Sequence, residues 1–417
     1  MSSLFIQTGS PLKGVFENQG SKNAALLMLA SSLLLEEGEG LVISGVPNIG
    51  DIHSMLRILK NLGVSSKWSE ESLTLTVVST SRTELSEEAS KLTRYSLCAL
   101  GPVASRRGAC KIGPPGGCPL GERPFDIHLS GFQSMGFRTS HRKNIRVVAE
   151  TPKRSTIPLR YPTVTGTANL MMAASILPVI TKIQNASKEP EICSLAGLLN
   201  KMGANVQGAG TPELKIFGVK RLSGASVVVP PDRIIAGTFI LSVAVTHGDV
   251  SINNCTHSEL EEVIKVAKSL GANVGLSTNS VRVTQDQRAR PLTLSASPYP
   301  GFPTDLQPIL VTALSLADGD SAVSDTVFTD RFDYVPALRS MGADIRVSGN
   351  TADIRGVLGF MGGSFEIPDI RAGAALILAG LAANESTVLT GVEMVDRGYP
   401  NLCSSLQGLG AKIARVN

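Results

Sequence analysis

The sequence predicts an α/β protein of six repeated units, each about 70 residues long, grouped in two lobes of three with helices inside and sheets outside. Three observations predict this. A large apolar residue followed by glycine recurs at Leu62-Gly63, Met135-Gly136, Met202-Gly203, Leu270-Gly271, Met341-Gly342 and Leu409-Gly410. The glycines are separated by 73, 67, 68, 71 and 68 residues, and alanine follows four of them. Upstream of every copy lies an apolar run rich in small residues, and Pro230-Pro231 punctuates the middle of the chain.

The units follow one grammar. Their apolar runs read AALLMLASSLL, SLCALGPVAS, ANLMMAASILP, GTFILSVAV, LQPILVTALSLA and AGAALILAGLAA. A helix apolar on nearly all sides is buried on all sides, so each unit supplies one such helix. KVAKSLGANVGL and PALRSMGADIRV then show a second, amphipathic helix, a glycine stop at positive φ, and an alternating strand. The hinge is placed at Pro230-Pro231, with a second crossing near Asn18 to Lys22. One lobe then spans 22–231, and the other combines 1–21 with 232–417.

Composition removes several function classes. Aromatics are 4% of the chain and net charge is only +4, from 39 basic and 35 acidic residues, which disfavours nucleic-acid binding by stacking and charge. The longest apolar stretches run to about a dozen residues, short of the roughly 20 that cross a bilayer. No basic leader with an apolar core opens the sequence, and six cysteines are spread without CxxC spacing, so a cytoplasmic protein with reduced thiols is expected. Five histidines show no metal-ligand spacing, and neither a metal nor a cofactor is expected.

Charges at the openings of the apolar runs stand out. Lys22 opens the first and Arg94 the second, Asp305 the fifth and Arg371 the sixth. Helix N-termini attract anions, so a cation placed there is repelled unless a phosphate or carboxylate also binds. Exposed ends paired with Asp or Glu are the plainer explanation for any one of them; four units together point to an anion-binding cleft. Gly113 to His128 carries four glycines and four prolines around Cys118, with Arg123 close behind. Such a loop exposes a thiol, and nearby cations favour thiolate. The other five cysteines read as packing residues. DRGYP at 396–400 and DRF at 330–332 add Asp-Arg pairs, which are commonly structural.

These residues resemble the UDP-N-acetylglucosamine 1-carboxyvinyltransferase family of enolpyruvyl transferases, essentially end to end. The resemblance rests on SKNAAL (21–26), PGGCPLGERPFDIH (115–128), VTGTANLMMAA (164–174), PDRIIAGTF (231–239), FPTDLQ (302–307), VFTDRF (327–332), PDIRAGAALILAGLAA (368–383) and DRGY (396–399). The related shikimate-pathway transferases would carry a GNxGT-type phrase where this chain has RYSLCALGP. The resemblance implies a two-lobed inside-out α/β barrel closing on phosphoenolpyruvate and a uridine nucleotide, with no cofactor. It implies Cys118 as general acid and fosfomycin target, and Asp305 as base or proton relay. Lys22, Arg123 and Arg397 would hold the phosphate; Arg331 and Arg371, with Arg397, would clamp the carboxylate. Asn23 and Val327 would contact the sugar, Pro124, Phe125, Asp126 and Ile127 the uracil, and Thr163, Val164 and Thr165 the nucleotide phosphates. Arg94 and Asp369 join the substrate-binding set.

Several positions depart from the family pattern. Tyr161 stands where a Lys commonly binds the diphosphate, Cys98 where a large apolar residue is usual, and Ala168 where an acid is frequent; Glu122 and Phe125 alter the nucleotide loop. Neutral drift explains them, with a different acceptor such as UMP in natural-product synthesis as the alternative. A non-catalytic nucleotide-binding paralogue is the reading from another class, and the intact Lys22, Cys118, Asp305, Arg371 and Arg397 argue against it.

Overall fold

All six repeat glycines take up left-handed backbone, with φ of 82° at Gly63, 95° at Gly136, 104° at Gly203, 103° at Gly271, 93° at Gly342 and 93° at Gly410. A side chain is strained there, which explains why glycine alone holds the position. In the computed structural model, which describes residues 2–9, 11–117 and 125–416, a strand follows each of them. These strands are Val64–Trp68, Phe137–His141, Asn205–Gln207, Asn273–Ser277, Asp344–Ser348 and Ile413–Val416.

Each of these strands is the edge of its own small sheet, and the six sheets share one plan. Gly40–Ser44 pairs parallel with Ala225–Val228 and antiparallel with Ser72–Val77, which in turn pairs antiparallel with Val64–Trp68. The same order of one parallel and two antiparallel pairings recurs around Ile180–Gln184, Asp249–Asn253, Asp320–Asp325 and Thr387–Thr390. Around Ala109–Ile112 the parallel partner is reduced to a single bridge between Glu84 and Lys111. Strands such as Ser72–Val77 alternate buried with half-buried residues, as expected for a sheet with one face on a core.

By contacts the chain separates into two units, one holding the described residues up to Gln19 and from Pro231 onward, the other those of Gly20–Gly117 and from Phe125 to Pro230. The first unit has the helices Arg233–Thr246, Gln307–Leu314 and Ile370–Leu381 at its centre, each packed against the other two. Apart from Arg233, every residue of these three is buried. The second unit is centred on Lys22–Ser31, Leu100–Arg107 and Val164–Ser175. Close approach needs small residues: a Cβ on Gly101 would lie 2.4 Å from the carbonyl oxygen of Asn169.

The N-terminal strand Ser3–Ile6 occupies the third place in the last sheet, between Thr387–Thr390 and Ile413–Val416. The chain's start thus completes its sixth repeat. No helix among the described residues is long and apolar enough to cross a membrane.

Candidate active site

In the second unit, Lys22 is the first residue of its helix, whose N-cap Ser21 accepts the Ala24 N–H. Its ammonium lies 2.7 Å from Asp51, and both side chains are buried. Asp51 comes from the first turn of Gly50–Asn61, where a carboxylate also suits the helix dipole. Asn23 accepts a hydrogen bond from the Tyr95 hydroxyl at 3.2 Å. Arg94 opens the Arg94–Ala99 turn, capped by Thr93. Thr163 caps Val164–Ser175 through a 3.3 Å bond from the Gly166 N–H, so Thr163, Val164 and Thr165 form a helix N-terminus with a neutral cap. Phe125 makes an edge contact with the His141 ring, Asp126 is ion-paired with Arg160, and Ile127 is packed into the core.

Beside these lies a buried polar knot. The Gly101 N–H donates to Asn169 Oδ1 at 2.7 Å, which fixes the amide so that its Nδ2 donates to the Leu97 carbonyl and to His128 Nδ1. His128 therefore accepts through Nδ1 and is the neutral Nε2–H tautomer. Burial, aided by the nearby Arg94 charge, pushes its pKa down to about 3. Burial likewise raises Cys98 and Cys110 to about 12 and Cys255 to about 11, which leaves them inert as nucleophiles.

In the first unit, one carboxylate is held by two arginines. Arg331 Nη1 donates to Asp305 Oδ1 at 2.8 Å, and Arg371 Nη2 to Asp305 Oδ2 at 3.0 Å. Both guanidinium groups are buried, whereas Asp305 is partly exposed. Asp305 sits on the short turn Thr304–Leu306 that leads into Gln307–Leu314. Asp369 caps Ile370–Leu381 by accepting the N–H groups of Arg371 and Ala372, and so anchors the backbone that carries Arg371. Burial alone would depress the Arg371 guanidinium; Asp305, Tyr399 and Asp232 outweigh it and hold its pKa above the ordinary value. Its guanidinium carbon is 5.2 Å from the Tyr399 ring centre. Val327 is exposed, its N–H bonded to Asp325, and Arg397 ends the short helix Glu393–Asp396.

Among the described residues, Arg331 Nε and Arg371 Nη1 have no hydrogen-bond partner although both atoms are buried. An unmade buried hydrogen bond costs about 1–3 kcal/mol. An anion with several oxygens, a carboxylate above all, is the group that matches unspent guanidinium N–H. Cys118, Arg123 and Pro124 lie outside the described residues.

The structure thus gathers Asp305, Arg331 and Arg371 in one cluster and gives Lys22 its own ion pair. Sequence reasoning missed Asp51, Thr304 and Asp325. It also missed the capping of Asp232, which accepts the N–H groups of Ile234 and Ile235. One of these was available: Asp232 directly precedes an apolar run, the ordinary signature of an N-cap, as Asp369 also does.

A family model described as EPSP synthase (3-phosphoshikimate 1-carboxyvinyltransferase) matches residues 6–406. The chain is 42% identical to UDP-N-acetylglucosamine 1-carboxyvinyltransferase 1 of Carboxydothermus hydrogenoformans, an alignment covering 100% of this chain and 99% of the relative. It is 39% identical to the UDP-N-acetylglucosamine 1-carboxyvinyltransferase of Desulfosudis oleivorans, with 100% of both chains covered. Among solved structures, the enolpyruvyl transferase NikO from Streptomyces tendae shares the fold at a TM-score of 0.88 and 20% identity, covering 100% of this chain and 99% of that one. EPSP synthase from Acinetobacter baumannii does so at 0.74 and 18%, with 100% of both covered. The buried helices, the sixfold sheet plan and these full-length matches agree: the chain belongs to the EPSP synthase family of enolpyruvyl (1-carboxyvinyl) transferases, on the branch of the UDP-N-acetylglucosamine 1-carboxyvinyltransferases.

Proposed function

We propose that the protein transfers the enolpyruvyl group of phosphoenolpyruvate to the 3-hydroxyl of UDP-N-acetylglucosamine with release of phosphate, the first committed step of peptidoglycan synthesis. The observation that carries the reading is the Arg331–Asp305–Arg371 cluster with its unspent buried N–H groups, in a chain about 40% identical end to end to transferases of that name.

The chemistry assigns the parts. The acceptor oxygen attacks C2 of phosphoenolpyruvate while C3 gains a proton, giving a tetrahedral adduct. Loss of a C3 proton and cleavage of the C2–O bond to phosphate then restore the double bond on the product. Addition turns a planar carbon tetrahedral next to a carboxylate, so fixed cations that hold that carboxylate steady the geometry and its charge. Arg331 and Arg371 serve there, with Arg397. Asp305 is the base or proton relay for the 3-hydroxyl, and Lys22 and Arg123 meet the phosphate. Cys118 is the acid at C3. Asn23 and Val327 face the sugar, the 124–127 segment the uracil, and the capped N-terminus at Thr163 to Thr165 the nucleotide phosphates.

The test is phosphate release from phosphoenolpyruvate with UDP-N-acetylglucosamine or UMP as acceptor. Release with the sugar nucleotide supports the proposal. Release only with UMP keeps the chemistry and changes the pathway, and the uncharged, 41% exposed Tyr161 would then mark the altered phosphate site. Release with neither overturns the proposal. Cys118→Ser is expected to lose most turnover while still binding nucleotide, and normal activity would remove Cys118 as the acid.

A further inference from the structure

Asp325 ends the strand Asp320–Asp325 and is fully buried. Its Oδ1 accepts two backbone N–H groups, from Val327 at 2.8 Å and Phe328 at 2.9 Å. Its Oδ2 accepts the Thr304 hydroxyl at 2.5 Å. The Asn350 backbone and side chain fix its own peptide, by N–H to carbonyl at 2.9 Å and by Nδ2 to the Asp325 carbonyl at 3.1 Å.

The direction of every bond in this chain is determined. Thr304 has one hydroxyl proton, and Asp325 takes it. Only lone pairs remain on Thr304 Oγ1, and these accept from Arg331 Nη1 at 3.1 Å. The same nitrogen donates its second N–H to Asp305 Oδ1 at 2.8 Å. Arg331 is 4% exposed, so no water competes freely for these donors. A buried hydrogen bond to a charged group is among the stronger kinds, and a chain of them polarises along its length. Turning the Thr304 proton toward Arg331 would set donor against donor.

We propose that Asp325 is a positioning residue for the enolpyruvyl transfer: by holding the proton of Thr304 it orients the Arg331 guanidinium and, through it, the Asp305 carboxylate. The inference rests on the proposed function, since it is that reaction which uses Arg331 and Asp305. Asp325 touches no substrate in this account. It acts only through Thr304, while its other oxygen holds the Val327 loop.

The experiment uses Asp325→Asn, Thr304→Val, the double variant and Thr304→Ser in the full-length protein. Asparagine keeps an oxygen for the two loop N–H groups, so its NH2 must face Thr304 and reverses the polarity with almost no change in shape. Both single variants are expected to lower kcat at least tenfold, with KM for the sugar nucleotide and Tm nearly unchanged. The double variant should be no worse than either single one, because both break the same link. Thr304→Ser should restore most of the rate. Additive losses, or a fall in Tm with kcat per folded molecule intact, overturn the inference and leave Asp325 a structural residue.

A wild type that releases no phosphate would sink the proposed function instead. The network is then read without turnover, from the rise in Tm that phosphoenolpyruvate produces in the presence of nucleotide. That rise should be smaller in Asp325→Asn than in wild type. Equal rises, or none in wild type, overturn the inference.

Discussion

The two units build their buried helix N-termini alike but cap them differently. In the unit that begins at Gly20 the capping side chains are Ser21 on Lys22–Ser31, Thr93 on the turn Arg94–Ala99 that leads into Leu100–Arg107, and Thr163 on Val164–Ser175, all neutral. In the other, two of the three central helices are capped by Asp232 and Asp369. A neutral cap satisfies one or two N–H groups and leaves the positive end of the dipole for an outside anion. An aspartate spends that dipole internally. The units differ in cations to match: one buried lysine faces one aspartate in the first case, and two arginines share a partly exposed aspartate in the second. In the proposed function, one scaffold would thus yield two kinds of anion site, a dipole-rich one for nucleotide phosphates and a guanidinium-rich one for a carboxylate.

The most severe way to break the contrast is Arg371→Met. It removes the better-braced arginine and leaves Arg331 alone with Asp305, so kcat/KM for phosphoenolpyruvate should fall by about two to three orders of magnitude, the size expected when a buried charged contact is lost. Nucleotide affinity, measured by calorimetry, should stay within about twofold on the same grounds. Equal losses for both substrates would end the division of labour.

Lys22→Ala is next. It takes the buried ammonium away from Asp51, and breaking a buried pair costs about 3–5 kcal/mol, so stability should fall along with activity. Lys22→Ala/Asp51→Ala should recover much of the stability and none of the activity. Urea unfolding followed by the single tryptophan, Trp68, reads this in the right unit. Recovery of turnover in the double variant would deny Lys22 its part in catalysis.

A pH difference should follow from His128. Its folded pKa of about 3 lies below the ordinary 6.5, so the unfolded chain binds a proton that the folded one refuses. The neutral ring's stabilising contribution is full above pH 6.5 and is lost as pH falls toward 3, at about 1 kcal/mol per pH unit. His128→Gln should flatten that slope in Trp68-detected unfolding curves; parallel curves for the two proteins would refute it.

Thr163→Asp is the finest test. The new cap should add a few tenths of a kcal/mol of helix stability, while placing a negative charge where the nucleotide phosphates are assigned. KM for UDP-N-acetylglucosamine should then rise about tenfold, as expected for a like charge near a bound anion. An unchanged KM would move the phosphates elsewhere.

The fold was legible because its signals are local and repeated. Gly63 and its five counterparts mark a backbone angle only glycine tolerates, and runs such as 370–381 are too apolar for any surface. The candidate site was legible where chemistry is scarce: a cation opening an apolar run has few reasons to be there, which singled out Lys22 and Arg371, both buried and ion-paired in the structure. Partners were not. Nothing near position 51 points to position 22, and Asp325 meets Thr304 only because the end of a strand and a turn converge. The resemblance placed Asp369 in the substrate-binding set, and the structure shows its cap bonds, a role its place before the helix already signalled.

The strand Ser3–Ile6 inside the sixth sheet makes the order of synthesis matter. Residues 20–230 emerge from the ribosome with every strand of their sheets already made, and can close before the rest exists. The strand Ser3–Ile6 must wait for Thr387–Thr390 and Ile413–Val416, both translated long after it. Until the first of them is made it is an unpaired, half-apolar edge, the kind of segment chaperones recognise. Loss of Ile413–Val416 would therefore show its fault some four hundred residues earlier in the chain, at Ser3–Ile6.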